Sequence, residues 1–475
     1  MNLFKRRIFS CLFKTLYVIS FLLFSNCTAS STVYVSSSLG SDKYSGQSED
    51  VPFKTIAKAL TLSCDIKLKA GDVFYETVDL KGKTLTRYGE GTNPMLCGYK
   101  RIKRHNWEKV EEHIWKIKLS DDNYTGYITN GSTISNNIGC LHEYDKDLIH
   151  GRKVQFRKEL KENWDIWQTE RYDSQVSSSE FDWLYLYYSG NPNILKIEFS
   201  VYDTALRIEN SVIDGIDIVG FGFGIAGGPK SIIRNCKIDA IGGRIQIGAK
   251  EYICYGNGIE FYINRNIHNC LVENCTISRC YDCAVTIQGS DGGQATPRNI
   301  VIKHNLIFDC CQAWEDFLRN DNNVVYENCR FENNTILNSG NTSGFGYPES
   351  RFKFCHVLGN NTMGDKGMII RNNTFVGGNW HCGNPYNGKY RSNVWEGNTC
   401  VIKRGDYLLG DYFGTSDVIR IPTEKGEFRS LKAATEDAIR RYRQITGDQT
   451  TQFIIQREGI VTRKVAMYKR RFIKQ

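Results

Sequence analysis

Several things are scarce in this sequence, and each scarcity narrows the reading. Proline is rare, at 8 residues, against 43 glycines in a chain of 475. With abundant Asn and 12% aromatics, that balance suits a turn-dense β protein and argues against a helical one. No segment after residue 27 is long and apolar enough to cross a membrane. No Cys/His cluster has zinc spacing, and no Asp/Glu run resembles a calcium loop, so no metal site is expected. The cluster Gly220, Gly222, Gly224, Gly227 and Gly228 lacks a following helix to receive a phosphate and reads as turns. Net positive charge is missing from the body of the chain. The net +9 is concentrated in Lys5, Arg6, Arg7 and Lys14 at one end and in Arg463, Lys464, Lys469, Arg470, Arg471 and Lys474 at the other. A nucleic-acid partner would need a basic stripe on the folded body, so none is expected, and the basic tail reads as a solvated end.

Residues 1–27 read as an export signal. Basic residues precede the apolar run 16–24, which is too short to span a bilayer. Ser25-Asn26-Cys27 resembles a bacterial lipoprotein box, in which Cys27 would carry a lipid anchor; cleavage near Ala29 would give a soluble secreted protein instead. Either route places the protein at the cell surface, in the periplasm or outside the cell.

The 17 cysteines are too sparse for a disulfide scaffold. Without Cys11 and Cys27 their number is odd, so at least one is unpaired within the chain, and most are expected to pack as small apolar residues. Cys280 and Cys310 should stack about 4.8 Å apart on neighbouring coils, within disulfide reach, with reduced packing the expected state.

A six-residue pattern organises the middle of the chain: apolar, any residue, Asn or His, Asn or Cys, any residue, apolar. It begins at Ile233, Val272, Ile302, Phe331 and Ile370, with a second copy from Tyr326 that blurs the register of the fourth coil. Periods of 29 to 39 residues mean a stacked architecture, and short alternations such as Ala284-Val-Thr-Ile287 read as strands. Asparagine at a fixed position implies a ladder of side-chain amides running up the stack.

The repeats resemble the pectate-lyase-like superfamily of right-handed parallel β-helices. Val33-Tyr-Val through Gly46 and Val51-Pro-Phe through Ala59 are similar to the opening strand, loop and short helix that cap such stacks. The fold class expected is therefore all-β, a right-handed parallel β-helix solenoid of stacked coils between about Ile208 and Ile402. The division expected is a cap with first coils over 31–105, a β-hairpin insertion over 106–205, the helix core over 206–410 and a C-terminal cap with basic tail over 411–475. Helical spacing from Ser430 to Ile445 predicts a short helix over the last coil.

Aligning coils on the Asn motif brings Glu260, Thr286 and Glu315 into one outward column. The glutamates then stand two coil steps apart, roughly 9.6 Å. Inverting glycosidases use two carboxylates about 6.5–9.5 Å apart, and retaining enzymes about 5–5.5 Å. The column suits inversion, whereas pairing either glutamate with Asp282 suits retention. A one-residue slip would turn Glu315 inward and Asp316 outward. Gln288, Trp314, Tyr262, Asp316 and Arg265 are the candidate substrate contacts, with Tyr262 and Trp314 as sugar-stacking rings. Tyr281-Asp-Cys283 is similar to the Asp-Asp-Cys segment of polygalacturonases, with Asp282 on the second aspartate; that family's other motifs are missing, so its activity is not implied.

The function expected is an exported carbohydrate-active protein, a glycoside hydrolase on a polysaccharide or oligosaccharide, working as a monomer without a cofactor. One alternative is a polysaccharide lyase, using cations such as Arg244, Lys250, Arg265 and Arg319 and calcium held by Asp282 or Asp291. The other is a non-catalytic surface protein with a flat aromatic platform for glycans. His142-Glu-Tyr-Asp145 is the one other short run with acid–base potential and reads as structural.

Overall fold

The computed structural model describes residues 31–101, 106–120, 136–248, 252–263, 266–289, 296–318, 325–339, 355–360, 367–383, 393–411 and 418–473. The export signal and Cys27, together with Lys250, Arg265, Asp291 and Arg319, lie outside them. The chain winds a right-handed parallel β-helix with three ten-stranded sheets running its whole length. The sheets open at Thr32–Val35, Val73–Phe74 and Val78–Lys81, and the last coil strand is Gln452–Gln456. The stack therefore extends well beyond the span marked by the Asn motif, because some coils turn on glycine instead: Gly215 occupies the turn in one early coil (φ 71°) and Gly397 in a late one (φ 61°).

The six-residue motif divides its labour between neighbouring positions. Its third residue, Asn235, Asn274, His304, Asn333 and Asn372, adopts left-handed backbone with φ of 53–56°, which bends the chain from one sheet to the next. Its fourth residue forms the ladder. Asn334 Oδ1 accepts from the Asn305 backbone N–H and Nδ2, both at 3.0 Å, while Asn334 Nδ2 donates to the Ile302 carbonyl at 3.0 Å and to Asn373 Oδ1 at 3.1 Å. Asn373 repeats this with Asn398. The pairing Ile302↔Phe331↔Ile370 fixes the fourth coil on the Phe331 copy of the motif.

The motif's second position alternates in charge. Asp214, Arg234, Glu273, Lys303, Glu332, Arg371 and Glu396 pair directly rung by rung. Ion pairs of 2.9 Å (Arg234–Asp214), 3.2 Å (Lys303–Glu273) and 2.6 Å (Arg371–Glu332) close this outer face on itself.

A second face is covered by added elements. The insertion forms two sheets between Tyr99 and Ser200, antiparallel except where Arg152–Lys153 pairs parallel with Asp165–Trp167. Its Phe181, Cys140 and Ile149 pack with Ala240, Tyr281 and Cys311 of the coils. The insertion's aromatics pack among themselves, as where the rings of His150 and Trp164 stack 4.0 Å apart. Further along, the terminal helix Glu458–Ile473 seats Val461, Val465 and Tyr468 on Leu306, Leu337, Val376 and Val401, and Lys469 pairs with Asp309. The basic tail is thus a docked helix and not a solvated end: its apolar residues, at helical spacing, find an uncovered strip of the stack.

Leu431–Thr446 is the expected capping helix, with Ser430 Oγ accepting from the Ala433 N–H at 3.1 Å and Tyr442 buried against His381 and Phe453. No disulfide joins the described cysteines. The Cys280 thiol lies against Cys310 in the core, and burial raises it well above its ordinary range. No described helix is long and apolar enough to cross a membrane.

Candidate active site

Along the third sheet the described ion pairs lie at its N-terminal end, where Lys81 meets Glu209 at 3.8 Å and Arg207 meets Asp203 at 4.0 Å. Its registers run Asp79↔Arg207↔Ala226↔Glu260↔Thr286↔Glu315↔Leu358. Inward columns of Ile259, Val285 and Trp314, and of Phe261, Ile287 and Asp316, flank it. Side chains alternate across a strand, so the residues on either side of Glu315 must point into the core. Trp314 is fully buried with its ring 5.7 Å from Phe331, and Asp316 is fully buried beside Ile287. Two expected contacts are therefore corrected: Trp314 has no face to offer a sugar, and Asp316 does not reach the substrate side. Tyr262 and Gln288 share Glu260's parity, pair with each other and are partly exposed.

Glu260 is held by amides. Asn257 Nδ2 donates to its Oε2 at 2.9 Å, and Gln288 Nε2 donates to the same oxygen. Asn257, buried three residues upstream, also accepts from the Cys283 N–H at 3.3 Å, so it ties the Glu260 strand to the corner of the next coil. Its position at i−3 from a strand glutamate was the available signal for this residue.

Asp282 sits at that corner. Its N–H donates to the Gly256 carbonyl at 3.2 Å and its carbonyl accepts from the Gln312 N–H at 3.0 Å. The adjacent Tyr281, where polygalacturonases carry an aspartate, is fully buried beneath the insertion and pins the corner in place. Burial, then the nearby Glu260 charge, pushes the Asp282 carboxyl up to about 7. Glu315 is 4% exposed and takes a 3.3 Å hydrogen bond from Thr286 Oγ1. Burial first, then the charges of Asp282, Asp316 and Glu260, raise it well above the ordinary carboxylate range, and the Thr286 bond only partly offsets this. The outer face thus gathers three electrostatically coupled carboxylates, one solvated by amide donors and two biased toward the protonated form.

Thiol chemistry does not fit here. Cys283 and Cys311 adjoin the carboxylates, and burial raises both thiols far from the thiolate form. Among the described residues no three His, Cys, Asp or Glu converge as a metal site. Arg244 is fully buried, donating to the Val201 carbonyl with Asp203 3.8 Å away, so it cannot neutralise a substrate carboxylate. His142 lies on the insertion between Glu198 (2.9 Å) and Asp147 (3.2 Å), stacked on Tyr99, outside the carboxylate cluster.

No family model and no curated protein matches the chain. Solved structures with a similar fold include XylC in complex with xylose, at 12% identity and TM-score 0.49, covering 80% of this chain and 66% of that one. The GH136 lacto-N-biosidase from Eubacterium ramulus follows at 11% identity and TM-score 0.34, covering 80% and 65%. The tailspike gp49 of Acinetobacter baumannii bacteriophage Fri1, a capsular polysaccharide depolymerase, gives 10% identity and TM-score 0.24, covering 79% and 59%. The chain spans less than two thirds of the length of each.

Proposed function

We propose that this protein is an exported glycoside hydrolase that cleaves a polysaccharide at the outer face of its third sheet. The observation that carries the reading is the split environment of the carboxylates. Glycoside hydrolysis needs one carboxyl that holds a proton and one that does not. Glu315, buried and facing other carboxylates, is the proton donor to the leaving oxygen. Glu260, with two amide donors on one oxygen, is the carboxylate that draws a proton from water. Thr286 stands between them on the intervening rung, leaving roughly 9.6 Å of strand spacing for sugar and water, at the upper edge of the inverting range. Above about pH 7, where Asp282 itself ionises, its charge keeps Glu315 protonated; below that, Asp282 holds a proton and is the substitute acid. Gln288 and Tyr262 contact the substrate.

The lyase alternative is weakened by the burial of Arg244, and the platform alternative by the inward turn of Trp314, which removes an aromatic from the face. Proton NMR of the first products from a polysaccharide panel tests the reading. It predicts saturated products with the anomeric configuration inverted. Vinylic signals of an unsaturated uronide, or no product from any glycan, would overturn it.

A further inference from the structure

The face that carries the carboxylates continues toward the C-terminal end of the stack. Trp380 lies two rungs beyond Glu315 and Tyr407 three, roughly 10 and 14 Å along the sheet, and the two rings are 5.4 Å apart. Trp380 rests over Gly410, where a β-carbon would meet its ring at 1.9 Å, so glycine is what admits the ring. These aromatics line a pocket together with Lys403, Arg404, Asp406 and Arg420.

The cations of this pocket are not equivalent. Lys403 is engaged by Glu458 at 2.8 Å, and Arg404 donates to the Pro422 carbonyl (2.9 Å) and Thr435 (3.2 Å). Asp406, the one acid lining the pocket among the described residues, accepts from the Lys403 backbone N–H at 3.1 Å. Arg420 is exposed, donates its Nε to the Gly405 carbonyl and lays its guanidinium over Tyr407, 5.5 Å from the ring centre. A stacked guanidinium is a preorganised fork for a carboxylate. The pocket at the opposite end of the same face is different. There Lys81 meets Glu209 at 3.8 Å, Arg207 meets Asp203 at 4.0 Å, and Lys83 donates to the Leu60 and Leu62 carbonyls.

We infer that the Trp380–Tyr407–Arg420 pocket is a subsite for an acidic sugar, so that the substrate is an anionic polysaccharide; this deepens the glycoside hydrolase reading and rests on it. The sugar ring packs on the partly exposed Tyr407, backed by the buried Trp380, while its carboxylate takes the Arg420 fork. The cleavage site then lies a short run of sugar units away, over the carboxylates.

Calorimetric binding of the full chain to glucuronate- and galacturonate-containing oligosaccharides, against the same oligosaccharides with their carboxyls reduced to alcohols, tests this. The acidic form is expected to bind about tenfold tighter, the scale of one charge-assisted hydrogen bond. Arg420→Gln should bring the two forms within about twofold of each other without moving the melting temperature, and Arg420→Glu should favour the reduced form. Glu315→Gln should keep the acidic preference, which separates the subsite from the chemistry. Equal affinity for both forms, binding of neither, or a preference that survives Arg420→Gln would overturn the subsite. Hydrolysis of a neutral glycan without acidic preference would leave the hydrolase and remove the subsite. Acidic preference without hydrolysis of any substrate would do the reverse.

Discussion

Replacing Asn334 by Ala should be among the most damaging small substitutions in this protein. It removes the acceptor of the Asn305 N–H and the side-chain donor to the Ile302 carbonyl, both in the interior, and costs Asn305 Nδ2 one of its two acceptors, the other being the Val272 carbonyl at 3.2 Å. A stranded buried polar group costs about 1–3 kcal/mol, so with partial relaxation the expected loss is about 3–5 kcal/mol. That is a large share of the ~5–15 kcal/mol that stabilises an ordinary fold. The neighbouring Asn333 supplies the control. It is exposed and serves the turn through its left-handed backbone (φ 55°), so Asn333→Ala should cost about 1–2 kcal/mol and Asn333→Gly much less. Urea unfolding of the three variants, with hydrogen exchange at the Asn305 amide, gives the comparison. A loss from Asn334→Ala no larger than that from Asn333→Ala would refute the ladder's role.

Three further outcomes are expected. Lys303→Glu would place three carboxylates in a row on the charge-alternating face, costing about 1 kcal/mol at low ionic strength and less in high salt; a salt-independent loss would contradict the ion-pair account. His381, buried among Phe375, Trp395, Tyr442 and Phe453, is held down to about 3 by burial. Its folded pKa lies below its unfolded one, so the stability it permits is complete above about pH 6.5 and is lost as pH falls toward 3, by at most about 5 kcal/mol. His381→Phe should flatten acid unfolding over that window, and parallel curves for the two proteins would count against it. Asp282→Asn should lower the Glu315 pKa and move the alkaline limb of the activity profile to lower pH; an unmoved limb would show that Asp282 does not tune the acid.

Much of this was legible because the repeat states its own register. The Asn motif aligned Glu260, Thr286 and Glu315 without a structure, and the observed strand pairing has the same alignment. The same logic had more to give. The residue before each motif Asn reads Arg234, Glu273, Lys303, Glu332 and Arg371, an alternation that marks a self-closing face. Strict two-residue periodicity also forbids Trp314 and Asp316 from sharing the face of Glu315. Other features had no local signal. The terminal helix shows only three apolar contacts among many cations, and its partner strip is assembled from coils far away in the chain. The burial of Arg244 depends on Asp203 and Val201 meeting it across the junction with the insertion. Asn257 holds Glu260 only because the next coil's corner fixes its amide.

The most direct test of the central claim is reducing-end release from neutral and uronic-acid polysaccharides by the full-length protein, followed beside ultraviolet absorbance for unsaturated uronides. Glu260→Gln and Glu315→Gln would run in parallel. The account predicts new reducing ends without that absorbance, falling by at least about a hundredfold in each variant. Release that carries the absorbance, or that persists undiminished in both variants, would contradict it.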